Sequence, residues 1–386
     1  MCAVPRVESV PVGKRLIAVD ALRGLVMALM ALDHVRDYFS AAHFEPTDLT
    51  KTTPALFFTR WVTHFCAPAF VLLAGMGARL SLNRGKSVAE LSRFLWTRGL
   101  WLVVLEVTVV RFGWAFNLDY RLVWVQVIWA LGISMIVLAG LVHLPVQVSL
   151  TFGILMIVGH NALDRIALHA EGPTLIGAGL SDWLWAILHV QRPPIMYPLV
   201  PWIGVMALGY ALADVLEKRA ALLCIGFATT IAFVILRMIN LYGDPSPWRE
   251  QSTGMQTLMA FLNVEKYPPS LAFLLATLGP TIAMLALLDR APARIVSTLS
   301  VIGRVPLFYY IVHIYLVHAL AVLAGIALGR NIDELLVPFF MLPNDWGFTL
   351  PVVYAVWLLV LLSLYLPCRW FASLKARRDW WWLGYV

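Results

Sequence analysis

Charge is scarce in this chain. Only 13% of its 386 residues are Asp, Glu, Lys or Arg, about half of the ~25% that keeps an ordinary soluble domain in water. Hydrophobic residues make up 61% and the mean hydropathy is +0.80, which excludes a single water-soluble core and leaves a polytopic membrane protein. The four cysteines, Cys2, Cys66, Cys224 and Cys368, are scattered without a CxxC pair. A disulfide framework and a cysteine–histidine zinc site are both set aside on that ground. No GxSxG elbow, GxxxxGK[ST] phosphate loop or HExxH helix occurs. Serine hydrolysis, ATP-driven transport and zinc catalysis therefore lack support, and no metal is expected. Residues 1–15 lack the pattern of a cleaved signal. The net charge of +7 is not a nucleic-acid footprint, because the basic residues sit between apolar stretches, where they orient a chain in a bilayer.

What is present is a succession of apolar stretches near spanning length, at 16–40, 57–80, 92–112, 122–143, 146–164, 198–216, 219–241, 268–289, 297–326 and 348–371. The expected fold is all-α, a polytopic integral membrane bundle of about ten helices. A short tail (1–15) precedes the membrane domain (16–372), and a basic, aromatic tail (373–386) follows it. Basic residues concentrate at one set of ends, including Arg79, Arg84, Lys86, Arg98, Arg304 and Lys375, and place both termini in the cytoplasm. The loops 41–56, 165–197, 242–267 and 327–347 then face outward. Their Trp183, Trp185 and Trp248 suit an interfacial belt or, as the sharper reading, sugar stacking. No internal repeat is visible, which disfavours inverted-repeat transporter folds.

The first apolar segment, AVDALRGLVMALMALDHVRDYFSAAH, holds more charge than a plain anchor tolerates, since each ionisable group at bilayer depth costs roughly 2.5–3.5 kcal/mol. Asp20 and His34 are fourteen residues apart and so share a face, about 21 Å apart along the axis. Asp20 and Arg23 have i,i+3 ion-pair spacing; they either pair structurally or face a ligand. His34 and Asp37 repeat that spacing, and an aspartate beside imidazole fixes its tautomer and raises its basicity. Asp33 could do the same, and His43 follows in the loop. In the second span, His64 lies ahead of Pro68, which leaves a backbone carbonyl free near it. His64 either orients a ligand or is a hydrogen-bonded core residue. Glu106, inside WLVVLEVTVVRFGW, must be protonated, paired or turned toward a cavity. His313 is the better placed of the two histidines in FYYIVHIYLVHAL.

AVDALRGLVMALMALDH, followed by His43 and HFCAPAFVLLAGMGARLSL, resembles the core of the heparan-α-glucosaminide N-acetyltransferase family and its bacterial relatives. The shared pattern is D-x-x-R-G, an apolar run, a long outer loop and a P-x-F-x-x-x-x-G helix. EVTVVRFGWAFNLDY, YPLVPWIGVMALGYAL, EKYPPSLAFLLATLGP, GRVPLFYYIVHIYLVHAL and CRWFASLKARRDWWW look like the bacterial branch. The resemblance implies transfer of an acetyl group from cytoplasmic acetyl-CoA across the bilayer to a sugar or glycan acceptor. The family's catalytic asparagine position falls on His34 and its catalytic histidine on His43, while VRDYFSAA replaces the family's glycine-rich stretch between them. With no large luminal domain ahead of the membrane core, a bacterial inner-membrane enzyme is expected. Relatives that dimerise leave a homodimer open.

The expected mechanism follows from these residues. Arg79, Arg84 and Arg304 hold the donor phosphates, since arginine binds phosphate bidentately. Asp20, Arg23, His64, Glu106 and His313 line the donor or acceptor path. His34 or His43 acts as general base, oriented by Asp33 or Asp37. The alternative is a secondary transporter relaying protons through Asp20, Glu106 and His313. An acyltransferase should show a tunnel with a basic inner mouth, and a transporter a midplane site between related halves.

Overall fold

The computed structural model describes residues 12–386 except 122, 167 and 169–172. Most of the expected tail over 1–15 lies outside the described residues. The fifteen α-helices in order are α1 (Val12–Phe39), α2 (Pro54–Trp61), α3 (Cys66–Asn83), α4 (Val88–Leu105), α5 (Arg111–Ala115), α6 (Val127–Leu141), α7 (Val146–Gly159), α8 (Leu180–Leu188), α9 (Val200–Leu212), α10 (Arg219–Ile239), α11 (Gly254–Leu262), α12 (Leu271–Leu288), α13 (Ala293–Gly303), α14 (Pro306–Ala327) and α15 (Leu350–Arg377). No strand forms among the described residues.

Six runs among the described residues are long and apolar enough to cross a membrane: Pro54–Asn83, Val146–Leu163, Arg219–Ile239, Leu271–Leu288, Pro306–Ala327 and Leu350–Arg377. Helices α6, α9 and α13 are apolar but shorter. Helices α1 and α4 have the length but carry interior charge, including Asp20, Arg23, Asp33 and Arg36 on one and Arg93 and Arg98 on the other. Six of the about ten expected helices thus meet the length and apolarity of a span among the described residues. The stretch expected as one helix over 297–326 is two. Pro306 opens α14, and a proline restricts the residue before it to extended backbone; Val305 accordingly breaks away at φ −131°.

Bilayer contact is written on the outer helices. Leu150, Ile154 and Leu155 of α7, Phe227, Ile231 and Ile235 of α10, and Leu358, Leu362 and Leu366 of α15 are all exposed. Apolar rows of this kind have no reason to face water, and the chain is an integral membrane protein. Helix α1 is the opposite case: from Ala18 to Phe39 every residue is buried or half-buried, packed among α3, α12, α13, α14 and α15. Trp357 of α15 donates to the Ala28 carbonyl at 2.8 Å, and at the far end Trp346 donates to the Tyr38 carbonyl at 2.7 Å.

Small residues set how closely α1 meets its neighbours. A Cβ on Gly303 would stand 1.8 Å from the Asp20 carbonyl oxygen, and one on Gly24 1.9 Å from that of Leu299. Helix α13 therefore lies backbone to backbone against the basic-biased end of α1, here called the inner end. Forcing even a methyl group into that crossing costs about 1–3 kcal/mol. Gly303→Ala should lower the melting temperature of the detergent-solubilised protein, whereas Gly140→Ala, with nothing within 4 Å of its Cβ position, should not. Equal melting of the two variants would remove the close crossing.

Candidate functional site

A cavity of about 370 Å³ opens at the inner end of α1. Met27, Met30, Phe70, Leu73, Leu131 and Met135 make its walls apolar, and Arg23, Arg84, Lys86, Arg98, Arg304 and Lys375 make its rim basic. No carboxylate side chain lines it among the described residues. The rim comes from five places in the chain: α1, the α3–α4 turn, α4, the α13–α14 break and α15. Arg23 is fixed by Asp20 at 3.1 Å and by the Gly303 carbonyl at 3.0 Å, so the i,i+3 pair expected from the spacing is present. Arg304 approaches the same Asp20 at 3.8 Å. The C-terminal segment folds back to this rim: Arg98 donates to the Gly384 carbonyl at 2.6 Å and Tyr385 pairs with Thr97 at 2.7 Å. Of the expected phosphate ligands, Arg84 and Arg304 line the cavity. Arg79 does not; its guanidinium forks onto Asp214 at 2.7 and 3.0 Å.

The cavity reaches Met30, Leu307 and Tyr310, and His34 stands one helical turn above Met30. There His34 Nδ1 meets His313 Nε2 at 2.7 Å, and His313 Nδ1 meets the Tyr309 carbonyl at 2.9 Å. A carbonyl only accepts, so His313 Nδ1 carries a proton and, in the neutral ring, Nε2 is an acceptor. His34 must then donate from Nδ1, which leaves the lone pair on its Nε2. This chain of constraints leaves His34 Nε2 open to accept a proton without any carboxylate beside it. His313 is fully buried and His34 partly so, with the Trp114 ring edge-on at 4.8 Å.

The aspartates expected to orient His34 turn elsewhere. Asp33 accepts from Arg60 at 2.8 Å and from Thr63 at 2.8 Å. Arg36 bridges Asp33 at 3.1 Å and Asp37 at 2.5 Å. The i,i+3 spacing of His34 and Asp37 is real, but the adjacent guanidinium is a stronger partner for a buried carboxylate than a neutral imidazole. His43 is exposed and bonded through Nε2 to the Trp346 carbonyl at 2.6 Å; it lines neither cavity described here.

A second cavity, about 250 Å³, lies beyond the Asp33–Arg60 pair at the outer end of α1. Glu45, Arg60, His64, Asn263, Glu265, Lys266 and Tyr267 line it. The chain delivers His64 there through a tightened turn, Val62–Phe65, ahead of α3. Pro68 four residues on has no amide to give the His64 carbonyl, which is the local reason the regular helix is interrupted. His64 is buried, and among the described residues its Nδ1 has no partner. Burial also pushes the Glu265 carboxyl above its ordinary range.

Glu106 belongs to neither cavity. Its two oxygens accept the amides of Gln126 at 3.0 Å and Trp129 at 3.1 Å, capping the start of α6, whose first amides have no partner within the helix. The widened turn Glu106–Val110 aims the carboxylate sideways at that end. The loop tryptophans are pinned as well: Trp248 donates to the Arg237 carbonyl at 2.6 Å and Trp185 to that of Ile166 at 2.9 Å. Spacing within one helix could not disclose Arg60, Lys266 or Tyr310 as site residues, since each is brought in from another segment. Lys86, Arg98 and Lys375 were visible only as orientation charges.

Charge enclosed by a bundle whose outside is apolar defines an integral membrane protein, and its two cavities lie at opposite ends of one charged helix. The family model of the heparan-alpha-glucosaminide N-acetyltransferase catalytic domain matches residues 15–246, more than half of the chain, and the chain belongs to that family. Its function is of the membrane acetyltransferase type. Among curated proteins none matches the chain. The match takes in His34, His64 and Asp33; His313, Arg304 and Lys375 follow it in sequence.

A capping role for Glu106 has a direct consequence. Glu106→Ala should cost about 1–2 kcal/mol, the loss of a helix cap with its buried hydrogen bonds, read as a lower melting temperature in detergent, while Glu106→Gln should keep part of the cap and all of the activity. An inactive Glu106→Gln of undiminished stability would restore Glu106 as a proton carrier.

Proposed function

We propose that the protein is an acyltransferase that takes an acetyl group from acetyl-CoA at the cytoplasmic face of a bacterial inner membrane and hands it to a sugar acceptor at the outer face. The observation that carries this reading is the alignment, along α1, of the basic-rimmed inner cavity and the oriented His34–His313 pair. The inner cavity fits the donor. Its volume lies in the ~300–1,000 Å³ range of ligand sites, its rim carries Arg84, Lys86, Arg98, Arg304 and Lys375 beside the Asp20-paired Arg23, and its walls suit an apolar arm and a thioester. Arg84, Lys86, Arg98, Arg304 and Lys375 would hold the phosphates, with Arg23 deeper at the α1–α13 crossing. Acetyl-CoA supplies the thioester, whose C–S bond breaks as the acceptor's O–C or N–C bond forms.

His34 Nε2 takes the proton from the acceptor hydroxyl or amine as it attacks, and returns it to the leaving sulfur. His313 holds the His34 ring in the tautomer that leaves Nε2 open and stabilises the imidazolium that forms. The Asp33–Arg60–Arg36–Asp37 cluster fixes the end of α1 that carries His34. His64 and the outer cavity face the acceptor side. The groups on which a transport alternative leaned, Asp20, Glu106 and His313, each have a fixed local partner.

A positioned base contributes about 10²–10⁴-fold. His34→Ala should lower kcat for acetyl transfer by that factor with acetyl-CoA binding retained. His313→Ala, which removes only the orienting partner, should lower kcat with the KM for acetyl-CoA unchanged. Arg84→Ala combined with Arg304→Ala should do the reverse, weakening acetyl-CoA binding in calorimetry by tenfold or more. The reading fails if the purified protein binds no acetyl-CoA, or if transfer is indifferent to His34.

A further inference from the structure

The inner cavity is partly closed by the chain itself. Beyond α15 the chain turns back and forms a short tightened turn, Trp381–Gly384, against the rim. Val386 lines the cavity together with Arg98 and Lys375. Arg98 Nη1 donates to the Gly384 carbonyl at 2.6 Å, and Lys375 Nζ to the Val386 carbonyl at 2.9 Å. Arg98 keeps a buried Nε with no hydrogen-bond partner among the described residues. The carboxylate whose charge acts on Lys375, that of Asp20, is itself paired with Arg23. Neutral backbone carbonyls thus stand where two cations of the rim could take an anion.

The hold of this segment is light. Leu383, 3% exposed, is its one buried side chain. Tyr385 lies against the Phe94 ring at 5.7 Å and shares a hydrogen bond with Thr97 at 2.7 Å. Trp380, Trp381 and Gly384 are exposed. An ionised acceptor such as phosphate makes hydrogen bonds to a cation roughly twice as strong as a neutral carbonyl does. A phosphorylated ligand entering the cavity therefore gains by displacing the segment, and the segment lowers the affinity of any ligand that must displace it.

We propose that residues 378–386 are an autoinhibitory strap, whose Gly384 and Val386 carbonyls compete with the phosphates of an incoming ligand for Arg98 and Lys375. A ligand that binds only the open form has its affinity reduced by the fraction of molecules that are open, so a strap shut about nine-tenths of the time weakens binding about tenfold. That the displacing ligand is acetyl-CoA rests on the acyl-transfer reading; the competition requires only a phosphorylated ligand.

The test uses the full-length protein in nanodiscs, with adenosine 3′,5′-bisphosphate, the phosphorylated end of CoA, and acetyl-CoA as probes. Leu383→Ser and Tyr385→Ala each loosen the strap without altering a rim cation. At least one of them should bind the bisphosphate tenfold or more tightly than the unaltered protein in calorimetry. Trp381→Ala, at a side chain 81% exposed, should bind it as the unaltered protein does. Hydrogen exchange reads the strap itself. The Leu383 and Tyr385 amides, bonded to the Trp380 and Trp382 carbonyls at 3.0 and 2.9 Å, should exchange faster in the unaltered protein when the bisphosphate is added. A gain in affinity by neither loosened variant overturns the proposal, and so does exchange that the bisphosphate leaves unchanged or slows. Loosened variants that gain affinity for the bisphosphate but bind no acetyl-CoA would overturn the acyl-transfer reading alone.

Discussion

A charged helix can occupy the centre of an apolar bundle only if each charge meets a partner there, because an unpaired ion in low dielectric costs several kcal/mol. Helix α1 is placed under that constraint at both ends. At the inner end Asp20, Arg23 and the Gly303 carbonyl close on one another. At the outer end Asp33, Arg36, Asp37 and Arg60 share their charges. These ties draw in α13 through Gly303 and α2 through Arg60. The two regions that they order are the two that hold cavities.

Between those ends, from Gly24 to Leu32, the helix is apolar, and His34 follows at the edge of the outer cluster. A neutral imidazole can be buried at lower cost than an ion, and His313 gives it the one hydrogen bond needed to choose a tautomer. A carboxylate in that position would demand a further cation in the middle of the bundle. Pairing histidine with histidine thus orients an imidazole with no extra buried charge. The apolar stretch from Met27 to Met30 below it leaves room for a ligand instead of filling that room with ion pairs.

Much of the membrane character was legible from the chain. The apolar stretches 219–241 and 268–289 correspond closely to α10 and α12, since an uninterrupted apolar run has few other ways to satisfy its backbone in lipid. The Asp20–Arg23 pair was legible because i,i+3 partners are joined by local helix geometry. The same reasoning failed for His34 and Asp37: Arg36, one residue away, and Arg60, from another helix, compete for the carboxylates. The stretch over 297–326 was misread because its hydropathy is continuous across Pro306, although the proline itself marks the break.

Composition, spacing and motif determined that this is a helical membrane protein, that its first helix is the unusual one, and that the family is an acetyltransferase family. These are properties of neighbours along the chain. Only the tertiary structure decided which charged and polar groups meet: His34 with His313, Asp33 with Arg60, and Glu106 with the start of α6. Those pairings join residues from roughly 20 to 280 positions apart. No local periodicity encodes them, because they depend on where whole helices cross, and that is set by packing at small residues such as Gly24 and Gly303.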